Sequence, residues 1–488
     1  NLRALHAPSD LAAIAPIQQQ LATDELSAFY ILMKGRALKR SRERAKALTE
    51  TGPLAAQLST NLGFDLTAAQ HRVCAEITDD LSKPLPMLRL VQGDVGSGKT
   101  VVAAFAAIRA TENQGQTALM APTELLAEQH AQNFKQWLQP LGIRCALLTG
   151  QMSAKQQREA LAEVAEGTAS VVIGTHALFQ DDVKFKNLGL IVVDEQHRFG
   201  VHQRLSLADK GSDEMHPHQL ALTATPIPRS LAMVAYGDLD CSVIDELPPG
   251  RQPVTTTLID HSRRDAVIRR VGAACEEGRQ AYWVCTAIEE SDALDIEAAE
   301  ATRDRLIEAL PNIRIGLVHG RLKPAEKATT MAQFKEGQLQ LLVATTVIEV
   351  GVDVPNASLM IIDNAERLGL AQLHQLRGRV GRGAIDSHCL LMFRQPISDT
   401  AQRRLRVLQE SQDGFVVAEA DLAIRGPGEL LGTRQTGMAE FRIASLPEHE
   451  SLLIEAQAIA VRLYQHHPQK SQELMHRWAG TRADFARV

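Results

Sequence analysis

Residues 93–100 read Gly93-Asp94-Val95-Gly96-Ser97-Gly98-Lys99-Thr100, a match to G-x-x-x-x-G-K-[ST]. Glycines at these positions let backbone N–H groups close around phosphates, while Lys99 neutralises the outer phosphates and Thr100 offers a hydroxyl to Mg²⁺. Immediately upstream, Met87-Leu88-Arg89-Leu90-Val91 reads as an apolar strand; downstream, Val101 to Ile108 reads as a helix. A strand, a glycine loop and a helix in that order predict a nucleotide-binding α/β lobe.

The alternation continues on both sides of this loop. Short apolar runs at Leu88 to Gln92, Thr117 to Met120, Ser170 to Ile173, Leu188 to Val193 and Leu220 to Thr223 are separated by helical stretches. That pattern predicts a parallel sheet covered on both faces. Leu247-Pro248-Pro249-Gly250-Arg251-Gln252-Pro253 breaks both helix and strand and reads as a linker. A second series follows, with strands expected at Ala281 to Cys285, Ile313 to Val318, Leu341 to Ala344, Leu359 to Ile362 and Cys389 to Phe393. The expected division is a helical connector over 1–63, a first α/β lobe over 64–248, a second over 254–410, and a helical extension over 411–488.

Composition sets the outer limits. The 488 residues are 45% hydrophobic and 23% charged, ample for several cores and too many for one ordinary domain. No run of eighteen apolar residues occurs, and the N-terminus, Asn1-Leu2-Arg3, has neither an initiator Met nor a secretory h-region, which suggests a truncated or processed chain and supports neither membrane span nor secretion. Six cysteines without C-x-x-C spacing fit reduced thiols of a cytoplasmic protein. A net charge of −6 argues against wholesale coating of nucleic acid, so any such site must be local. The densest cationic run, Arg36, Lys39, Arg40, Arg42, Arg44 and Lys46, suits phosphate contacts or a solvated helix face.

Asp194 and Glu195 follow the apolar run Leu190-Ile191-Val192-Val193 and so belong at a strand's carboxyl end, the rim that also carries Lys99. There Asp194 suits Mg²⁺, and Glu195 suits orienting the attacking water. Phosphoryl transfer also needs positive charge on the developing equatorial oxygens. Arg379 and Arg382, in Arg377-Gly378-Arg379-Val380-Gly381-Arg382-Gly383, are the candidates to deliver it from the second lobe. The expected catalytic set is Lys99, Asp194, Glu195, Arg379 and Arg382, with ATP sandwiched between lobes whose opening and closing follows its hydrolysis.

Further segments make a resemblance specific: the chain resembles the superfamily 2 helicase motors over roughly 64–385. Phe64-Asp65-Leu66-Thr67-Ala68-Ala69-Gln70 is similar to their adenine-reading segment, which implies a base contact for Gln70. Ala121-Pro122-Thr123-Glu124-Leu125, Gly174-Thr175-His176 and Val318-His319-Gly320-Arg321 resemble loops that contact the tracked strand, which implies DNA-coupling roles for Thr123, His176 and His319. Thr223-Ala224-Thr225-Pro226 resembles the segment that couples hydrolysis to motion. Ala344 to Asp353 resembles the motif facing both nucleotide and nucleic acid, with Gly351 and Asp353 on the nucleotide side. The fold implied is a pair of RecA-like lobes; the cofactors implied are ATP and Mg²⁺.

Finer features resemble the branch-migration members of that superfamily. The acidic box runs Asp194-Glu195-Gln196-His197-Arg198-Phe199-Gly200, where the transcription-repair coupling motors read D-E-E-Q-R-F-G. Asp421 to Gln435 resembles a translocation motif common to both groups, which implies relay roles for Arg425, Arg434 and Gln435. Tyr282 and Trp283 are expected in the core rather than as stacking platforms for bases. The resemblance implies an ATP-dependent double-stranded DNA translocase that drives branch migration of Holliday junctions and regression of stalled forks in recombination and repair. Its implied partners are branched DNA and single-strand DNA-binding protein, without membrane, acting as a monomer in the bacterial cytoplasm near the nucleoid. The family's wedge domain precedes the connector within which this chain begins, so ATP hydrolysis is expected together with poor recognition of branches. Alternatives are a transcription-repair coupling motor, or a nucleotide-gated sensor that binds ATP without turnover.

Overall fold

The computed structural model describes residues 14–40, 43–150, 152–195, 215–225, 239–248, 251–286, 292–346, 354–383, 385–425 and 441–479. In the first lobe the strands are β1 (Leu88–Gly93), β2 (Gln116–Met120), β3 (Cys145–Leu148), β4 (Val171–Gly174), β5 (Leu188–Val193), β6 (His218–Thr223) and β7 (Asp240–Ile244). They form one parallel sheet in the order β3-β4-β2-β5-β6-β1-β7. The near-continuous apolar runs have a simple cause: alternate residues serve opposite faces. Leu190 and Val192 join one core with the buried face of the helix Lys99–Glu112, whereas Ile191 and Val193 join another beneath the helix Ala154–Glu166.

The second lobe repeats the plan with β8 (Val254–Asp260), β9 (Gln280–Val284), β10 (Ile315–Val318), β11 (Leu341–Ala344), β12 (Ala357–Ile362) and β13 (Ser387–Phe393). Their order is β10-β11-β9-β12-β13-β8, again parallel. Tyr282 and Trp283 lie buried on opposite faces of β9, as expected of core residues. The Tyr282 ring meets Phe334 edge-on at 4.9 Å between centroids, and Trp283 Nε1 donates to Asp363 Oδ2 at 2.8 Å.

Three strands were not expected, β3, β7 and β8, and each is a sheet edge. An edge strand has a neighbour on one side only and need not be apolar throughout. β8 reads Val-Thr-Thr-Thr-Leu-Ile-Asp, and β7 leaves its first two residues exposed. The linker reading therefore ends at Pro253, where β8 begins directly.

The segment before the first lobe divides in two. Leu48, Leu58 and Leu62 pack into the first lobe's core, and Lys46 Nζ donates to the Asn113 carbonyl at 2.6 Å, so this cation serves the fold. The long helix Ile14–Arg40 instead packs on the C-terminal helices Leu453–His466 and Pro468–Ala479. Leu26, Phe29, Ile31 and Met33 share a core there with Leu453 and Ala456. Glu25 fastens the joint: its carboxylate accepts the backbone N–H groups of Arg442, Ile443 and Ala444 at 2.6–2.9 Å. Among the described residues no helix is long and apolar enough to cross a membrane.

Candidate functional site: a nucleotide cleft between two lobes

The parallel order of β4, β2, β5, β6 and β1 brings five strand ends to one rim. In that sequence they lead into His176, Thr123, Asp194, Thr223 and Gly93. Residues separated by up to 130 positions in sequence thus become neighbours through topology alone.

Over residues 94–98 the chain turns tightly, with Gly96 at φ 80° and Gly98 at φ 85°, a left-handed backbone that L side chains rarely adopt. Gly98 caps the helix Lys99–Glu112 without any side-chain acceptor, so first-turn N–H groups remain available to an anion. Lys99 folds back over the loop, and its Nζ donates to the carbonyls of Gly93 at 2.7 Å and Asp94 at 2.9 Å. Burial pulls its ammonium below the ordinary lysine range against the opposing charges of Glu195, Asp194 and Asp94. The Ser97 hydroxyl is buried with no hydrogen-bond partner. Thr100 follows in the helix's first turn.

Gln70 is buried, and its amide braces the phosphate loop: Nε2 donates to Ser97 O at 2.9 Å, and Oε1 accepts Thr67 N at 2.9 Å. A carboxamide has four hydrogen-bonding sites, so one donor and one acceptor position are left for a base edge by these two bonds.

Asp194 and Glu195 sit in the cleft with contrasting environments. Asp194 is buried, yet its carboxyl lies below the ordinary range, because a 2.7 Å bond from His130 Nε2 to Oδ2, the Lys99 charge and the Glu195 N–H outweigh desolvation. Glu195 moves upward through burial and the neighbouring Asp194 charge. It is also held at φ 51°, a conformation costly for a non-glycine residue, while its Oε2 accepts Ala224 N at 3.3 Å. His130 was not singled out in sequence, since a lone His inside a helix carries no signal there.

From the second lobe, Arg379 and Arg382 follow the helix Leu370–Arg377. Arg379 is near enough to Glu195 to stabilise its charge, and Arg382 Nε donates to Gly378 O at 3.3 Å. Gln375 Nε2 lies 3.5 Å from Thr225 Oγ1, which itself pairs with Thr223 Oγ1 at 3.2 Å. The two lobes thus meet at the segment expected to couple hydrolysis to motion.

A tighter contact was missed. His374 Nε2 bonds Asp94 Oδ1 at 2.7 Å across the cleft, and Asp94 Oδ2 accepts Gly414 N at 3.3 Å. Arg377 is buried; one of its guanidinium nitrogens donates to Leu408 O and Ser411 O, and the other to His374 Nδ1 at 2.9 Å. A guanidinium can only donate, so His374 Nδ1 accepts and Nε2 carries the proton given to Asp94. Although desolvation pushes the Asp94 carboxyl up, His374, Gly414 and Lys99 together hold it below the ordinary range.

Of the expected DNA-coupling residues, Thr123 and His176 follow the adjacent strands β2 and β4 of the first lobe, and His319 belongs to the second. The Thr123 hydroxyl caps the helix Glu124–Leu138 by accepting Leu126 N at 3.4 Å, and His176 is exposed at the end of β4. His319 follows β10, buried, with Nδ1 unpaired. Gly351, Asp353, Arg434 and Gln435 lie outside the described residues, and Arg425 is described only as the last position of its helix.

Among the described residues no three His, Cys, Asp or Glu side chains gather into a metal cage. The donor set at hand, one buried carboxylate and one hydroxyl beside a phosphate cradle, matches the way Mg²⁺ is held with substrate phosphates and water.

Family models match in succession: DEAD/DEAH box helicase over 67–234, helicase conserved C-terminal domain over 263–384, and ATP-dependent DNA helicase RecG, domain 3, C-terminal, over 411–479. The chain is 56% identical over 98% of its length to ATP-dependent DNA helicase RecG of Escherichia coli K12, spanning 70% of that protein. It is 53% identical to RecG of Haemophilus influenzae over 99% of its length, spanning 71% of that relative. A solved structure of RecG bound to a three-way DNA junction superposes with a TM-score of 0.74 at 39% identity, covering 91% of this chain and 57% of that one.

Proposed function

Because the chain belongs to the RecG family of ATP-dependent DNA helicases, we propose that it is a double-stranded DNA translocase acting on branched DNA, in branch migration of Holliday junctions and regression of stalled forks. ATP is the fuel of such a motor. In this reading residues 93–100 cradle the phosphates, Lys99 and Thr100 serve the outer phosphates and the metal, and Gln70 offers its remaining amide positions to the base. Thr100 and Asp194 would hold Mg²⁺, which would neutralise phosphate charge at this site. Glu195 orients the attacking water, and Arg379 with Arg382 meets the developing negative charge.

The observation that carries the reading is the pairing of Asp194 and Glu195 with Lys99 on one rim while Arg379 approaches Glu195 from the other lobe. Glu195 and Arg379, which turnover needs and mere binding does not, are close enough to interact across the cleft, and this supports the reading. Thr123, His176, Thr223, Thr225, His319, Arg425, Arg434 and Gln435 form the DNA-coupling set, and Gly351 and Asp353 join the nucleotide-binding residues. Residues 1–63 serve as connector, 64–248 and 254–410 as the lobes, and 411–488 as the translocation extension. Single-strand DNA-binding protein as a partner, action as a monomer and a place near the bacterial nucleoid complete the proposal.

The deciding experiment is ATP turnover with Mg²⁺ alone and with single strand, linear duplex, a three-way and a four-way junction. Stimulation by duplex or branched DNA above single strand is the expected result. Turnover indifferent to every DNA would replace the motor with a nucleotide sensor.

A further inference from the structure

Arg251 belongs to the short linker between the sheets, three residues ahead of β8. Its guanidinium does not point to solvent. One nitrogen donates to the carbonyl of Val95 in the phosphate loop and the other to Gly378 O, the residue that precedes Arg379, at 3.3 Å. It lies so close over Gly96 that a Cβ at that position would collide with it. From there it opposes the charge of Lys99.

Two cations thus face one glycine-rich cradle that already presents free amides and an orphaned hydroxyl. A planar guanidinium fork suits phosphate oxygens in a way a carbonyl pair does not exploit. We propose that Arg251 is a phosphate-contacting residue of the ATP site, delivered by the interlobe linker: it takes β- or γ-phosphate oxygens in place of the Val95 carbonyl while keeping Gly378. A linker that grips the nucleotide's outer phosphates senses how many are present, independently of Arg379 and Arg382. The inference rests on the reading of residues 93–100 as an ATP site.

The test is nucleotide binding by the 488-residue chain in EDTA, with ATP, ADP and AMP competing against a fluorescent ADP analogue. R251A is expected to weaken ATP and ADP by about ten- to hundredfold, the cost of one lost hydrogen bond to a charged group, and to leave AMP unchanged. R251K, which keeps the charge and loses the fork, is expected in between. R251Q retains a donor for the Val95 carbonyl without the charge, so it is expected to fold normally and to lose ATP as R251A does. ATP affinity at the wild-type level in R251Q, or an equal loss for ATP and AMP, overturns the proposal. Failure of the unmutated chain to bind ATP overturns the ATP-site reading instead.

Discussion

His374 and Asp94 join the lobes by a 2.7 Å hydrogen bond between an imidazole whose tautomer Arg377 fixes and a carboxylate inside the phosphate loop. Loop conformation and lobe closure are therefore one equilibrium. Removing a hydrogen bond to a charged group costs about 1.5–3 kcal/mol, so H374A should lower ATP turnover roughly tenfold or more. D94A should do the same, and the double variant should be little worse than either single one. Losses that multiply in steady-state turnover would mean the two residues act separately.

Glu195 should be dispensable for binding and needed for turnover. E195Q is expected to bind ATP normally and to lose about 10²- to 10⁴-fold in kcat, the usual contribution of a positioned base. Burial and Asp194 raise its carboxyl above the ordinary value of 4.5, and the ionised form is the useful one. Activity should therefore fall as pH drops through that raised pKa, giving an acid limb at higher pH than an exposed glutamate would. A pH profile of kcat locates the limb, and normal turnover by E195Q removes the assignment.

Gly378 is constrained by contact rather than by backbone. Its φ of −65° suits any residue, yet a Cβ there would stand 2.8 Å from Val95 Cβ in the opposite lobe. G378A should fold with an unchanged melting temperature, close poorly and lose several-fold in turnover. V95G in the same chain should restore part of it. Full activity in G378A would show that the lobes need not approach this closely.

His218 bridges the pre-lobe segment to the sheet: Nδ1 accepts Met87 N at 3.1 Å and Nε2 donates to Lys46 O at 2.9 Å. The neutral ring is required for this pair of bonds, and burial lowers its pKa below the ordinary 6.5. A depressed folded-state pKa contributes stability above the unfolded value, lost as pH falls toward the folded one. Urea midpoints should therefore decline on acidification below about 6.5. H218Q should show a shallower decline, and identical slopes would exclude the bridge as its source.

What could be read in sequence was whatever local spacing encodes. Lys99, Asp194 and Glu195 announce themselves through a glycine pattern and an apolar run, and the central strands through uninterrupted Val, Ile and Leu. His130, Arg251 and His374 carry no such local mark. Each matters because of a residue it meets 64, 156 or 280 positions away, and only the strand order and the closed cleft create those meetings. The edge strands β7 and β8 escaped for a related reason: with one side open, neither needs a continuous apolar run.

Ser27 hydrogen-bonds the carbonyl of Ala456, 429 residues further along the chain. During synthesis, the helix that carries Leu26, Phe29 and Met33 therefore leaves the ribosome long before the surface that covers it exists. At about 5–20 residues per second, that interval is on the order of 20 to 90 seconds. Both lobes have time to fold while this apolar face stays bare, which makes it the natural place for a chaperone to hold the nascent chain, and for aggregation to start when none does.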